Sequence, residues 1–441
     1  MKIAQKKLSG WGHSSTVNAA IARPEYRSDC ERMIRDTSGP WLAFGCGRSY
    51  GDEALNQCGI TIDMSHLNRF LEFDAEKAQL ICEGGATLHD IQCTLLPRGF
   101  GLKTSPGTSL VSVGGAIAND VHGKNHDRVG SFGEHVLWLE LLLASGEVMR
   151  CSRDNNQALF FATIGGLGLT GIILVACLQL TKQPIAIRVN NTCFTDIKLL
   201  MARLRTTRHQ STYSVAWLDL TRKNKFKSVL STGEPDYALM SWQTLKARTL
   251  PVMSHLFLNR FTIKMYNKWH YAKEKKHSKT FLQSLPKFLY PLDQIKNWNN
   301  LYGKKGFYQF QCVIPDAAAD SGIADIIKTV QASSLTCYLA VLKTLGESSD
   351  GYLSFPMCGF TLALDFLKTK AASLLLEKLA AITLVHGGRV YFAKDACLKP
   401  EMVPIMYPKL KQFRDVLHQV DPNQRWQSQL ASRLRLRGSH E

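Results

Sequence analysis

Three glycine-rich stretches, in a fixed order within the first 175 residues, constrain this chain more than any other feature. The first is Gly45-Cys46-Gly47-Arg48-Ser49-Tyr50-Gly51-Asp52, directly after the apolar run Trp41-Leu42-Ala43-Phe44. The second runs from Pro106-Gly107-Thr108 through Ser112-Val113-Gly114-Gly115-Ala116-Ile117-Ala118 to Asn119-Asp120-Val121-His122-Gly123-Lys124-Asn125-His126. The third is Gly165-Gly166-Leu167-Gly168-Leu169-Thr170-Gly171, leading into Ile172-Ile173. Such glycines mark backbone that takes positive φ or approaches another group closely. Singly, each stretch reads either as a plain turn or as a phosphate cradle, the first closed by Arg48 or Ser49. A helix beginning near residue 113 would aim its first amides at a pyrophosphate. The chain has no Walker A lysine pattern and no GxGxxG in a βαβ context, so nicotinamide binding by that route has no support.

The intervening segments read as strands and short helices. Residues 41–64 form strand, tight turn, strand. A strand near 80–84 turns into a helix over 88–96, capped by Thr87 and stopped by Pro97-Arg98-Gly99. Residues 136–149 form a hairpin turning at Ser145-Gly146, residues 157–163 a helix, and 168–180 a buried strand. After about residue 181 longer strands and helices replace the glycine turns, and 441 residues favour two domains. Gln309 and Gln311 alternate with Tyr308, Phe310 and Cys312, so the two amides share one strand face. That face suits a ligand rich in hydrogen-bonding groups, or else it looks to solvent.

Charge narrows the partners. With 54 Lys+Arg against 36 Asp+Glu the formal charge is +18, which favours anionic ligands. The basic residues are dispersed without a nucleic-acid motif, so no nucleic acid is expected; a phosphate-bearing or membrane-bound ligand fits better. Near residues 260–287, Lys264, Lys268, Lys273, Lys275, Lys276 and Lys279 interleave with Phe261, Tyr266, Trp269 and Tyr271. This is either a solvated helix face or a dock for an anionic membrane surface. No stretch reads as a signal peptide or a membrane span. The expected location is cytoplasmic, with any membrane contact peripheral, on the inner face. The 12 cysteines form no CxxC pair or Cys/His cluster, so reduced core thiols and no metal site are expected.

Together the three motifs resemble the FAD-binding domain of the vanillyl-alcohol oxidase (PCMH) superfamily. More closely, the chain is similar to the decaprenylphosphoryl-β-D-ribose oxidase family. The likeness runs through GRSYGD (47–52), PGTSLVSVGGAIANDVHGKNH (106–126), GSFGEHV (130–136), GLGLTGII (166–173), YQFQCVIP (308–315), VLKTLG (341–346), GFTLALDF (359–366), GGRVYFAKD (387–395) and DPNQRWQSQLASRLRL (421–436). It implies an α+β chain in three parts. A PCMH-type FAD-binding domain spans 1–185. A substrate domain over 186–388 is built on an antiparallel β-sheet flanked by helices. Segment 389–441 returns to the first domain.

The resemblance also implies roles. Gly47, Arg48, Ser49, Tyr50, Gly51, Gly107, Ser112, Val113, Gly114, Gly115, Asn119 and His122 would hold FAD, with Ile172 or Ile173 near the adenine and Tyr391 at the flavin. Many members of the superfamily attach flavin covalently through a His in the first loop; here that loop supplies Tyr50, so FAD is expected to be non-covalent. Lys394, His122 and Gln311 are the expected catalytic residues. A fixed ammonium near the flavin would stabilise the charge that hydride transfer creates. Lys124, Tyr290, Gln309, Gln311 and Lys343 are the expected substrate contacts. Ala363 stands where some members carry Cys, which removes a nucleophile from the pocket.

The implied reaction is oxidation of a secondary alcohol on a lipid-phosphate-linked sugar. His122, Lys394 or a water would accept the proton, and oxygen or a quinone would reoxidise the flavin. An NAD(P)H-dependent short-chain reductase would act on the keto product, completing an epimerisation. Two alternatives remain at this point: an alditol or aldonolactone oxidase of free sugars, and a flavin-holding subunit without turnover.

Overall fold

The computed structural model describes residues 3–222, 225–238, 241–242, 247–250, 258–276 and 280–438; Lys279 lies outside them. The described chain is a mixed α+β structure with three sheets of four or more strands. In the smallest, strands Ile3–Ser9 and Thr16–Ala22 pair antiparallel, and Ile60–Asp63 adds in parallel to Thr16–Ala22 and to Trp41–Phe44. The loop of the first glycine motif therefore leaves the C-terminal end of Trp41–Phe44, at the sheet's rim.

The second sheet is centred on Ile172–Lys182, between Val136–Leu142 on one side and Gln79–Glu83 with Phe100–Leu102 on the other. Its apolar run, IILVACL, suits a strand covered on both faces. The strand starts at Ile172 rather than at residue 168. Gly168 (φ +73°) and Gly171 (φ +148°) hold backbone conformations that end regular pairing. A Cβ on Gly171 would sit 2.4 Å from the Leu142 carbonyl oxygen. Thr87 caps the helix Leu88–Leu95 as its side chain accepts the Asp90 amide at 3.0 Å. That helix gives way to a 3₁₀ turn, and Gly99 closes it at φ +81°.

The third sheet has eight strands drawn from Ala186 to Val390, antiparallel throughout. Strands Leu339–Leu345, Gly359–Leu367 and Phe307–Pro315 lie side by side within it. The helices Ala319–Ala332 and Lys370–Val385 cover one face of these strands with Ile323, Ile326, Leu376 and Leu379. The opposite face is left for the cavity described below.

The C-terminal segment recrosses the chain. Trp426 packs tilted against Trp41, ring centroids 5.3 Å apart, and the Trp41 amide donates to Arg425 O. Ala393 O accepts the Tyr50 amide at 2.8 Å. Arg433 joins Asp52 to Asp395 at 2.8 and 2.9 Å.

Candidate functional site

A cavity of ≈ 1850 Å³, counting its open mouth, is lined by the glycine loops and the free face of the eight-stranded sheet. Its walls take Gly47, Arg48, Ser49, Tyr50, Gly107, Ser112, Gly114, Gly115, Asn119, His122, Ile172, Tyr391 and Lys394. Gln309, Gln311 and Lys343 complete it from the sheet side. The structure thus brings most of the expected site residues to one surface, although three segments far apart in sequence supply them.

The glycine side is built for a ligand pressed against backbone. A Cβ on Gly107 or Gly168 would meet no protein atom within 4 Å, so a side chain there would project into the cavity. The amides of residues 46–49 donate to no protein atom among the described residues. With Gly47 at φ +60° they form an open run of donors suited to an anion. Arg48 is fixed beside them, its Nε donating to Leu110 O at 3.1 Å and its guanidinium 3.9 Å above the Trp11 ring.

The second motif departs from expectation in one respect. The helix Val113–Ala118 does form, but its first amides are spent within the protein. The Val113 amide donates to Ala86 O, that of Gly114 to Gly84 O, and that of Gly115 to the Ser112 side chain. An anion-binding role for this helix N-terminus therefore gives way to the open amides of residues 46–49. The helix instead brings Gly114 and Gly115 to the cavity as bare backbone.

On the sheet side, register arranges the chemistry. Gln309 lies opposite Asp365, which lies opposite Leu339; Gln311 opposite Ala363 and then Val341; Val313 opposite Thr361 and then Lys343. Because side chains two apart share a face, these three rows stand on one side of the sheet. Gln309 Nε2 donates to Asp365 Oδ1 at 2.6 Å, and the Tyr302 hydroxyl donates to Asp365 Oδ2 at 3.0 Å. Gln311 Nε2 lies 3.0 Å from His122 Nε2 and 3.1 Å from Thr361 Oγ1. Both glutamines are therefore fixed before any ligand arrives.

His122 is buried against the stacked pair Phe355 and Tyr391, whose ring centroids are each 5.4 Å away. Burial, with Lys343 and Lys394 nearby, pushes its pKa well below the usual imidazole value, so the ring is neutral. With Nε2 accepting from Gln311, Nδ1 carries the proton, and it has no protein partner. Lys394 Nζ sits 3.5 Å from the centre of the Tyr50 ring. Burial lowers its pKa to about 7, against the raising effect of the Asp365 and Glu53 carboxylates. Lys343 donates to Gly123 O at 3.2 Å and is lowered to about 8, again chiefly by burial. The Tyr391 hydroxyl donates to Asn119 O at 3.0 Å, and its ring stacks on Phe355.

Four expected site residues lie off the cavity wall. Lys124 turns away, donating to Phe288 O and Leu289 O with its ammonium over the Phe288 ring. Tyr290 is fully buried, its hydroxyl bonded to Ser105 and Gln92. Val113 packs in the core, and Gly51 serves the fold: a Cβ there would meet Asp395 O at 1.9 Å. These four therefore serve the packing around the cavity rather than its wall.

Other wall residues were not singled out from the sequence. Trp11 precedes every motif and Trp298 follows a variable stretch, so neither carried a local signal. Glu53, on the wall, directly follows the first glycine motif, and Asp365, which holds Gln309 behind the wall, lies within the stretch 359–366. A carboxylate is assigned a role only once its burial is known, and the sequence does not give burial.

The open amides, the two glycines facing open space and the unpartnered buried atoms Glu53 Oε2, Asn119 Oδ1 and His122 Nδ1 all fit a large ligand with polar edges, such as FAD. Comparison with known proteins agrees. A family model for an FAD binding domain matches residues 19–152. Decaprenylphosphoryl-beta-D-ribose oxidase of Mycolicibacterium smegmatis is 33% identical over 98% of both chains. L-gulonolactone oxidase of Mus musculus is 36% identical over 32% of this chain and 31% of its own. Cytokinin dehydrogenase 10 of Oryza sativa is 27% identical over 44% of this chain and 37% of its own. The full-length match, with an FAD-binding module over the first two glycine loops, makes the chain an FAD-dependent oxidoreductase with a PCMH-type FAD-binding domain, and it belongs to the decaprenylphosphoryl-β-D-ribose oxidase family.

Proposed function

We propose that the chain oxidises a secondary alcohol of a sugar, and that its substrate is a polyprenyl-phosphate-linked pentose such as decaprenylphosphoryl-ribose. The full-length likeness to an oxidase of that substrate supports the reading. The observation that carries it is that Gln309, Gln311, Thr361, Lys343 and Lys394 line the same cavity as the bare glycine backbone of the loops. FAD, when bound, supplies the hydride acceptor. Residues 1–185 would hold it, residues 186–388 the sugar, and segment 389–441 would bring Lys394 and Tyr391 to both.

The amides of Gln309 and Gln311 orient sugar hydroxyls, since their own positions are already fixed by Asp365, Thr361 and His122. Lys343 adds a cation for the sugar's ring oxygen or phosphate. Lys394, with a pKa of about 7, is part ammonium and part amine at neutral pH. The ammonium offsets developing negative charge, and the amine can take the hydroxyl proton. His122 Nδ1 presents a donor, which favours positioning over proton uptake.

Tyr50, buried under Lys394, has no imidazole nitrogen for a flavin bond, so FAD is held without covalent attachment. Acid precipitation that left the yellow colour in the pellet would contradict this. A separate NAD(P)H-dependent short-chain reductase would consume the keto-sugar, and oxygen or a quinone would accept the electrons. No helix among the described residues is long and apolar enough to cross a membrane. The helix Arg260–Lys276 exposes Phe261, Met265, Tyr266 and Trp269 (53–70% exposed) beside Lys264, Lys268, Lys273 and Lys275. That mixture suits peripheral contact with an anionic leaflet, where a lipid-linked sugar is presented. Cosedimentation with phosphatidylserine vesicles should be lost on K264E/K268E/K273E.

Anaerobic mixing tests the substrate. Bleaching of the flavin by polyprenyl-phospho-ribose, and not by free alditols or aldonolactones, is expected. Bleaching by the free sugars alone would replace this reading with that of a free-sugar oxidase. Bleaching by neither would point to a flavin-binding subunit without turnover.

A further inference from the structure

Glu53 takes no part in the scheme above. It follows the first glycine motif, is only 6% exposed and lines the cavity. Its Oε1 accepts from Asn119 Nδ2 at 2.9 Å, and Oε2 has no protein partner. Asn119 Nδ2 also donates to Gly115 O at 3.0 Å, so both amide hydrogens are committed and the side-chain oxygen is fixed as Oδ1. Oδ1 is likewise buried without a partner in the protein. Two neighbouring side chains thus leave one oxygen each unsatisfied at the same wall, a costly arrangement unless a ligand completes it.

We propose that Glu53 acts as a neutral carboxylic acid and, with Asn119 Oδ1, forms a donor–acceptor pair that binds an imide edge of the flavin. Glu53 O–H donates to a ring carbonyl and Asn119 Oδ1 accepts the ring N–H. The charges around Glu53 bear on its protonation in both directions. Burial and the Asp52 carboxylate favour the acid, Lys394 and the Asn119 bond favour the anion, and burial wins, with a pKa raised to about 7. The Tyr391 hydroxyl, the remaining titratable neighbour, is held neutral by its own burial. An imide reads both oxygens at once, whereas an ionised carboxylate would set an anion against the ring carbonyl. The residue is a positioning group for the cofactor, and the inference does not depend on which sugar is oxidised.

The test is binding of FAD to the apoprotein, followed by quenching of flavin fluorescence from pH 5.5 to 8.5. In the wild type the dissociation constant should rise as pH passes about 7, because the donor is lost with the proton. Glu53→Gln keeps a donor that does not titrate, so the weakening caused by Glu53 should vanish and only the slope set by Lys394 and Lys343 should remain. Glu53→Leu should weaken binding by roughly tenfold at pH 6, the size of one hydrogen bond. FAD methylated at the imide nitrogen should bind the wild type roughly tenfold more weakly than FAD, since Asn119 Oδ1 then meets a methyl group. Circular dichroism of each variant identifies any loss that comes from misfolding. The proposal is overturned if E53Q keeps the wild-type pH profile, if folded E53L binds like the wild type, or if the methylated cofactor binds as tightly as FAD.

Discussion

Replacing Arg433 by Met tests the seam that closes the cavity. Its Nε and Nη2 donate to the two Asp52 oxygens at 2.8 Å each, Nη2 also to Asp395 Oδ2 at 2.9 Å, and Nη1 to Leu398 O at 3.1 Å. Side-chain exposure is 27% for Arg433, 10% for Asp52 and 5% for Asp395, so water replaces little of what is lost. The two carboxylates fare differently. Asp395 Oδ1 keeps the amides of Cys397 and Leu398, while Asp52 loses every side-chain partner. Stranding a buried charge in this way costs about 3–5 kcal/mol, and the partial exposure of Arg433 places the expected loss near 3. The same contacts hold the Tyr50 loop against residues 393–395, so FAD affinity should fall too. Urea unfolding followed by tryptophan fluorescence measures the stability, since Trp41 and Trp426 pack together near this seam. Asp52→Asn in the R433M background should recover about half of the loss, because an amide costs less to bury unpaired than a carboxylate. A single-variant loss below about 1 kcal/mol, the worth of a surface pair, would refute the reasoning. So would simple additivity of the two changes.

Three further outcomes follow from the site. Lys394→Met should lower kcat about 10²–10³-fold, the usual size of a lost charge-stabilising donor, while K394R retains more activity; equal kcat for K394M and wild type in stopped-flow reduction would exclude the role. Gly107→Val directs a side chain into empty cavity space, so it should cut FAD affinity by tenfold or more while the circular dichroism spectrum stays unchanged. The Asp365 pKa is raised by burial from 3.8 to about 6, so the native state holds its proton longer than the unfolded chain. Asp365 should therefore contribute a fall in stability as pH rises from about 4 to 6, beside the fall that Glu53 contributes up to about 7, and Asp365→Asn should make the slope between pH 4 and 6 shallower in urea titrations at each pH.

The local signals in the chain were strong. Thr87 as a cap, the hairpin after residue 136 and the helix over 157–163 follow from turn chemistry and short-range periodicity, which act within a few residues. The shared face of Gln309 and Gln311 is likewise fixed by the two-residue period of a strand. Gly114 and Gly115 were legible because an unusual run of small residues serves no ordinary core, whereas Gly107 came from the resemblance alone. By contrast, Lys124 and Tyr290 were read by analogy alone, and packing against Phe288 and Ser105 turned them elsewhere. Glu53 directly follows a quoted motif and Asp365 lies inside one, but their chemistry depends on burial.

The sequence by itself therefore determined the glycine loops, the strand faces and the family. Only the tertiary structure decided which amides stay open, which carboxyls are stranded and how Lys394 meets Tyr50. The physical reason is range. Backbone preference is local, whereas desolvation and hydrogen-bond completion depend on atoms brought together from positions more than 300 residues apart, as Tyr50 and Lys394 are.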